Sequence, residues 1–267
     1  MSAGAFMLES EMVPPLLPRL RTLAGWRAGS LHIYYEVPAL RGVPDLVLAR
    51  FDDAALDSWT RSPVTEYSQI ATLVALAERA EAGVTVSSAR DLATHVGLSS
   101  GHLGGVVLPR LAEQGLADQS SRGRWLLTKP FVSPVTRLVT VELKRHDRIG
   151  ALHQATAHGQ GADRAWVVLD AVRLRIESPR DRAILEAYES RGVGLATLSQ
   201  DLGRVRVVAR PRRGGAATFS RYVRRVARAV LAERVLDLHL GGGDSGPTWP
   251  VFGRTLATRS THDMALC

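Results

Sequence analysis

The stretch Val139-Thr140-Val141-Glu142-Leu143-Lys144 carries a carboxylate and an ammonium group two residues apart. Its β-branched residues and alternation read as a strand, on which such positions project to the same side. A charged pair on one face of a largely apolar strand is poor core material. It is either an exposed edge-strand ion pair or part of a chemical site. A second carboxylate stands upstream, in Arg41-Gly42-Val43-Pro44-Asp45-Leu46-Val47-Leu48, at the mouth of another short apolar strand. Two carboxylates brought together would suit a hard divalent cation whose remaining ligands are water and substrate oxygen. A lysine beside them would add a compact, positionable charge. Lys144 is informative because only two of the 34 basic residues are lysines, the other being Lys129.

The elements that must position these residues can be followed in chain order. Ser10 is a plausible N-cap for a helix to about Leu23, kinked at Pro18, which lacks an N–H. Leu31 to Val37 and Asp45 to Arg50 read as strands. Thr65 to Ala82 is an amphipathic helix with apolar Ile70, Leu73, Val74, Leu76 and Ala77. A shorter helix runs from Ser87 to His95, ended by Gly97, and a third from Ser99 to Gln114. Leu116 to Leu127 then forms a ribbon around Ser120-Ser121-Arg122-Gly123. After Lys144 come a helix from Asp147 to Gln160, a buried-type strand from Arg164 to Leu169 and a helix from Ser178 to Ser190. Two short strands, Gly192 to Leu198 and Val205 to Ala209, precede a long helix from Thr218 to Leu236. Residues 241–267 are glycine-rich and unpatterned, and are expected to form a flexible tail.

Pro-Asp at 44–45 followed by Glu-x-Lys at 142–144 resembles the signature of the PD-(D/E)xK, restriction-endonuclease-like nuclease superfamily. Glu9-Ser10-Glu11-Met12, Tyr35-Glu36-Val37-Pro38, Ala151-Leu152-His153-Gln154-Ala155 and Ala162-Asp163-Arg164-Ala165-Trp166-Val167-Val168-Leu169 stand in the superfamily's order around it. The helix, helix, turn, helix, wing pattern between them resembles a winged helix-turn-helix, most closely in Asp91-Leu92-Ala93-Thr94-His95-Val96-Gly97-Leu98-Ser99 and Leu108-Pro109-Arg110-Leu111-Ala112-Glu113-Gln114-Gly115-Leu116. The expected fold is α/β, a mixed sheet flanked by helices and interrupted by a small winged-helix domain. Residues 8–60 and 130–240 would form the discontinuous nuclease-like domain and 64–129 the insert. The 97 residues separating Asp45 from Glu142 are no obstacle, because loop-closure entropy grows only logarithmically and a folded insert costs less still.

The resemblance implies hydrolysis of DNA phosphodiesters with Mg²⁺ or Mn²⁺ as cofactor. It implies Asp45, Glu142, Lys144 and Gln154 as catalytic residues. The metal ligands would be Asp45, Glu142, the Leu143 carbonyl and Glu11, the last otherwise an ordinary acid at a helix start. Gln154 resembles the glutamine of a Q-x-x-x-Y motif, but here the fourth position on is His158, not tyrosine. Glu36 reads as a structural acid, and His146 and His153 flank the site.

Ten arginines against one acid, Glu233, lie between 204 and 234. Arg212, Arg213, Arg221 and Arg224 are candidate phosphate contacts, which supply affinity rather than sequence choice. In the winged helix the candidates are Ser99, Ser100 and His102 at the start of the third helix, then Arg110, and Arg122 and Arg124 on the wing. DNA is the expected partner in preference to RNA, and the winged helix could instead join a second copy or a partner protein. A DNA-binding regulator on a nuclease-like scaffold, and an interaction component of a defence or repair assembly, are the rival readings.

The 267 residues, 45% of them hydrophobic, allow a normal core. The one cysteine, Cys267, excludes an internal disulfide and a thiolate metal cluster. With no long apolar run and no basic-then-apolar leader, a cytoplasmic protein is expected.

Overall fold

Pro18 breaks the first helical segment. A 3-10 turn at Glu9–Met12 leads into α1 (Val13–Leu16), and a second 3-10 turn at Leu17–Arg19, around the proline, separates it from α2 (Leu20–Ala24). Ser10, the expected N-cap, lies inside the first turn. The structure is a computed structural model and describes residues 5–26, 29–174, 178–201, 203–212, 219–241, 249–251, 254–256 and 259–260.

Strands β1 (His32–Tyr35) and β2 (Leu46–Phe51) pair antiparallel. After a short helix α3 (Asp53–Asp57) come α4 (Tyr67–Glu81) and α5 (Ala89–Val96), which ends at Gly97 in the left-handed region (φ 77°). Next come α6 (Ser100–His102), a π-helical turn at Leu103–Val107 and α7 (Leu108–Glu113). These run on as one helical stretch. The wide turn sits just before Pro109, which cannot donate to the preceding turn. A two-stranded ribbon, β3 (Ala117–Gln119) with β4 (Trp125–Leu127), completes this stretch.

The chain then returns to the main sheet as β5 (Val135–Lys144), its longest strand. Helix α8 (Arg148–His158) carries it to β6 (Arg164–Asp170), and α9 (Pro179–Arg191) to β7 (Gly194–Leu198). Strand β8 (Val205–Ala209) turns back antiparallel, and α10 (Arg221–Leu240) follows. Near the end, β9 (Trp249–Val251) pairs with β10 (Arg254–Leu256), and β11 (Arg259–Ser260) adds to the edge at β1. The sheet order is β11-β1-β2-β5-β6-β7-β8, with β5, β6 and β7 mutually parallel. The fold is therefore mixed α/β, with a mixed sheet flanked by helices.

Alternation divides the sheet into two faces. Leu48, Val139, Val141, Leu143, Trp166 and Val168 pack against Met12, Leu16, Leu20 and Leu23 of the N-terminal helices. On the other face Val167, Leu169 and Leu195 meet Ala151, Leu152 and Ala155 of α8 and Tyr188 of α9. Val47, Ala49 and Leu138 meet Leu231 and Val235 of α10. Leu143 points to the first face, so Glu142 and Lys144 project to the second, beneath α8. The segment between β2 and β5 does not close its own core: Ile70, Leu73, Leu92, Leu108 and Trp125 share one cluster with Val226 and Val230 of α10. Among the described residues no helix is long and apolar enough to cross a membrane.

Candidate active site

The end of β5 and the start of β2 bring the acids together. Leu46 pairs with Val141, so Asp45, one residue earlier, faces Glu142, one residue later. The Leu143 N–H donates to Asp45 Oδ2 at 2.6 Å. Asp45 is also held from behind, where its carbonyl accepts from Glu36 N–H at 3.1 Å. Glu36 itself adopts φ 48°, the one described non-glycine residue at positive φ.

Glu142 is buried, with 1% of its surface exposed, and its two oxygens have different partners. Lys144 Nζ lies 3.1 Å from Oε1, and His158 Nε2 lies 3.2 Å from Oε2. The ammonium also lies 3.3 Å from Glu9 Oε2, while Glu9 Oε1 accepts from the Arg145 N–H at 3.3 Å. Two carboxylates thus contact one ammonium group, and a third, Asp45, is near enough for its charge to act on it. Burial, and after it the charge of Glu142, push the Asp45 carboxyl up to about 7, against the opposing Leu143 hydrogen bond and Lys144 charge. Burial works against the charge on Lys144, but Glu142, Asp45 and Glu9 together outweigh it and raise its pKa above the usual lysine value.

Burial, and with it this excess of negative charge, predicts a pH effect. Asp45 has an ordinary value of 3.8 and a folded value of about 7. Below the first it is neutral in both the folded and unfolded chains. As pH rises toward the second, only the folded protein resists ionisation, so stability present at low pH is lost. Asp45→Asn keeps an oxygen for the Leu143 N–H but cannot ionise. Without divalent cation, its melting temperature is expected to exceed that of wild type above about pH 7, the gap narrowing as pH falls and closing toward about pH 4. A gap independent of pH would show that Asp45 ionises without penalty.

The donor set fits a hard cation. Strand residues send N–H and C=O to the same side. The Leu143 carbonyl therefore faces, with its N–H, the gap beyond the start of β2. Two carboxylates and a carbonyl match Mg²⁺, which keeps several waters and completes its shell with substrate oxygen. Among the described residues no three His, Cys, Asp or Glu side chains are grouped so that they could hold a metal ion.

Other expected positions fall differently. Glu11 is turned away from the three acids, its Oε2 accepting from the Met7 and Leu8 N–H groups at 2.8 and 3.3 Å. Glu9, two residues earlier, reaches Lys144 instead, because the helical segment begins before Ser10. Gln154 is exposed on α8, His153 meets Arg191 at 3.1 Å, and His146 is exposed. His158 is the residue of α8 that meets Glu142. The signal for it was present: Ala151, Leu152, Ala155 and His158 share one helical face, so the histidine falls on the buried stripe.

The arginine-rich segment is partly consumed by internal contacts. Arg225 pairs with Glu78 and Glu81, Arg228 with Asp163, and Arg234 donates to the Pro38 carbonyl. Arg212 donates to the Glu189 and Ser190 carbonyls, capping α9 rather than facing solvent alone. Arg221 is exposed but 3.2 Å from Glu81. Arg224 Nε is buried without a hydrogen-bond partner, in a cleft it lines with Gln160. Arg213 lies outside the described residues. Between β2 and β5, Arg122 and Arg124 are exposed on the β3–β4 turn, and Ser100, His102 and Arg110 are exposed on the third helical stretch. Ser99 caps that stretch, accepting from the His102 N–H at 3.2 Å. No protein-family model, curated protein or solved structure matches this chain.

Proposed function

We propose that the chain is a cation-dependent DNA nuclease of the PD-(D/E)xK kind, with residues 64–129 forming an inserted winged helix. The observation that carries this reading is the convergence of Asp45, Glu142 and Lys144 from strands 97 residues apart, with Glu142 buried and Lys144 3.1 Å away. Setting a partly buried acid against a buried one at the open end of a strand is costly in desolvation, which a purely structural ion pair has no need to incur.

Hydrolysis adds a water oxygen to phosphorus and breaks the phosphorus–oxygen bond to the leaving group, which takes up a proton. Asp45, Glu142 and the Leu143 carbonyl would hold Mg²⁺. When bound, the ion supplies charge neutralisation at the phosphate. Lys144 is kept protonated by its three acidic neighbours. It therefore serves as a donor toward the phosphate or the incoming water, a fixed charge rather than a base. Glu9 orients that ammonium group from the opposite side.

The order α4, α5, α6–α7, then the β3–β4 ribbon supports the winged-helix reading. Arg122 and Arg124 at the ribbon turn suit phosphate contacts, and Arg110 adds a third cation. Replacing Arg122 and Arg124 by alanine is expected to weaken binding across all sequences. The salt slope should fall by about 2, one unit for each phosphate contact. An unchanged slope would place the DNA elsewhere.

The test of the whole reading is incubation of the purified protein with single-stranded, double-stranded and branched DNA. Cleavage is expected with Mg²⁺ or Mn²⁺ and none with chelator. DNA binding without cleavage under any of these conditions would favour the regulator reading instead.

A further inference from the structure

We infer that His158 is a positioning residue for Glu142, fixing one oxygen of that carboxylate so that the other is presented to the cation. The inference rests on the reading of Asp45 and Glu142 as metal ligands. A glutamate has three rotatable side-chain bonds, and its last, sp³–sp² torsion is broad. A carboxylate left to rotate offers its lone pairs in many directions. At Glu142 that freedom is removed from both sides: His158 Nε2 lies 3.2 Å from Oε2 and Lys144 Nζ lies 3.1 Å from Oε1. A carboxylate oxygen can only accept, so the ring presents Nε2–H to it.

The two contacts differ in kind. Lys144 has 19% of its side chain exposed and stands on the open side of the site, where phosphate or water can compete for it. His158 has 1% exposed and sits on the floor of the site. It lies at the end of a helix whose Ala151, Leu152 and Ala155 are packed on β6, and whose start is tied down by the Tyr188 hydroxyl donating to the Arg148 carbonyl. A rigid donor behind a metal-binding carboxylate selects the ligand's orientation before the ion arrives. Losses of such supporting contacts weaken metal affinity by about 10–100-fold.

The experiment is titration of the full-length protein with Mn²⁺, reading bound ion by electron paramagnetic resonance, with Asp45→Ala as the control for the site. His158→Leu is expected to raise the dissociation constant by about 10–100-fold. His158→Gln places an amide nitrogen close to where Nε2 stood, and is expected to recover most of that affinity. A leucine variant that binds like wild type, or a glutamine variant no better than leucine, overturns the inference and leaves the metal site standing. Wild type that binds no Mn²⁺ overturns the metal reading and the inference with it.

A second measurement does not depend on a variant that folds. In wild type carrying ¹⁵N-labelled histidine, Mg²⁺ is expected to move the His158 ring signals along the same binding curve as the ion. Asp45→Ala is expected to abolish the movement. Ring signals indifferent to bound Mg²⁺ would make His158 a core residue only.

Discussion

Substituting Lys144 by alanine is expected to cut cation-dependent DNA cleavage by roughly 10²–10³-fold while leaving DNA binding in place. The side chain offers no ligand atom to a cation, so the loss would be that of one fixed charge beside the phosphate. It is a charge already oriented, 3.1 Å from Glu142 and 3.3 Å from Glu9. Binding should persist because phosphate affinity is spread over many exposed cations. Glu142→Ala should abolish cleavage and weaken the metal site as well, which separates ligand from stabiliser. Arginine at this position is the sharper comparison, because it preserves the charge but replaces a compact ammonium by a planar fork. Full activity in Lys144→Arg would show that the lysine is only a counter-ion. A large loss of DNA affinity in Lys144→Ala would make it an anchor rather than a stabiliser.

The part of this site legible in the sequence is the part written in strand alternation. Alternation along the two apolar runs showed which residues share a face; that Asp45 stands beside Glu142 was what the nuclease resemblance implied, and the pairing of Leu46 with Val141 puts them opposite each other. The sheet, its helices and the ribbon between β3 and β4 follow from the same periodicities. What was not legible depends on where a segment begins and on who meets it from afar. Glu9 and Glu11 are equally good first-turn acids by type. The choice between them turned on a helical start at Glu9, outside the reach of a Ser10 cap. His158 required knowing that α8 folds back along β5, laying its last turn beside Glu142. The arginine tally overstates the free charge for a related reason: it counts residues, whereas Arg225, Arg228 and Arg234 answer acids and carbonyls from other parts of the chain.

Glu233 shows that last point in its strongest form, and it carries the second large expectation. In the sequence it is the lone acid among the ten arginines between 204 and 234. In the structure it is buried, 1% exposed, and its partner is Arg61, 172 residues away. The pair is bidentate, at 2.6 and 2.7 Å, and Oε2 also accepts from the Val64 N–H at 2.8 Å. The guanidinium lies over Trp59 at 4.3 Å and faces Phe131 at 5.2 Å. Those rings flank the two chain crossings between the main sheet and the helices that follow β2, so one ion pair fastens both crossings to α10. Arg61→Ala would leave a buried carboxylate holding a single backbone N–H. The expected cost is about 3–5 kcal/mol, a fall in melting temperature of roughly 6–20 °C. The double change Arg61→Met with Glu233→Gln keeps an acceptor for the Val64 N–H and removes the orphaned charge. It should recover most of the loss, since buried ion pairs are costly to break singly but cheap to replace together. A melting temperature unmoved by Arg61→Ala would mean that the junction is held by the apolar contacts of α4 with α10 alone, and that the ion pair contributes nothing to fixing the inserted helices.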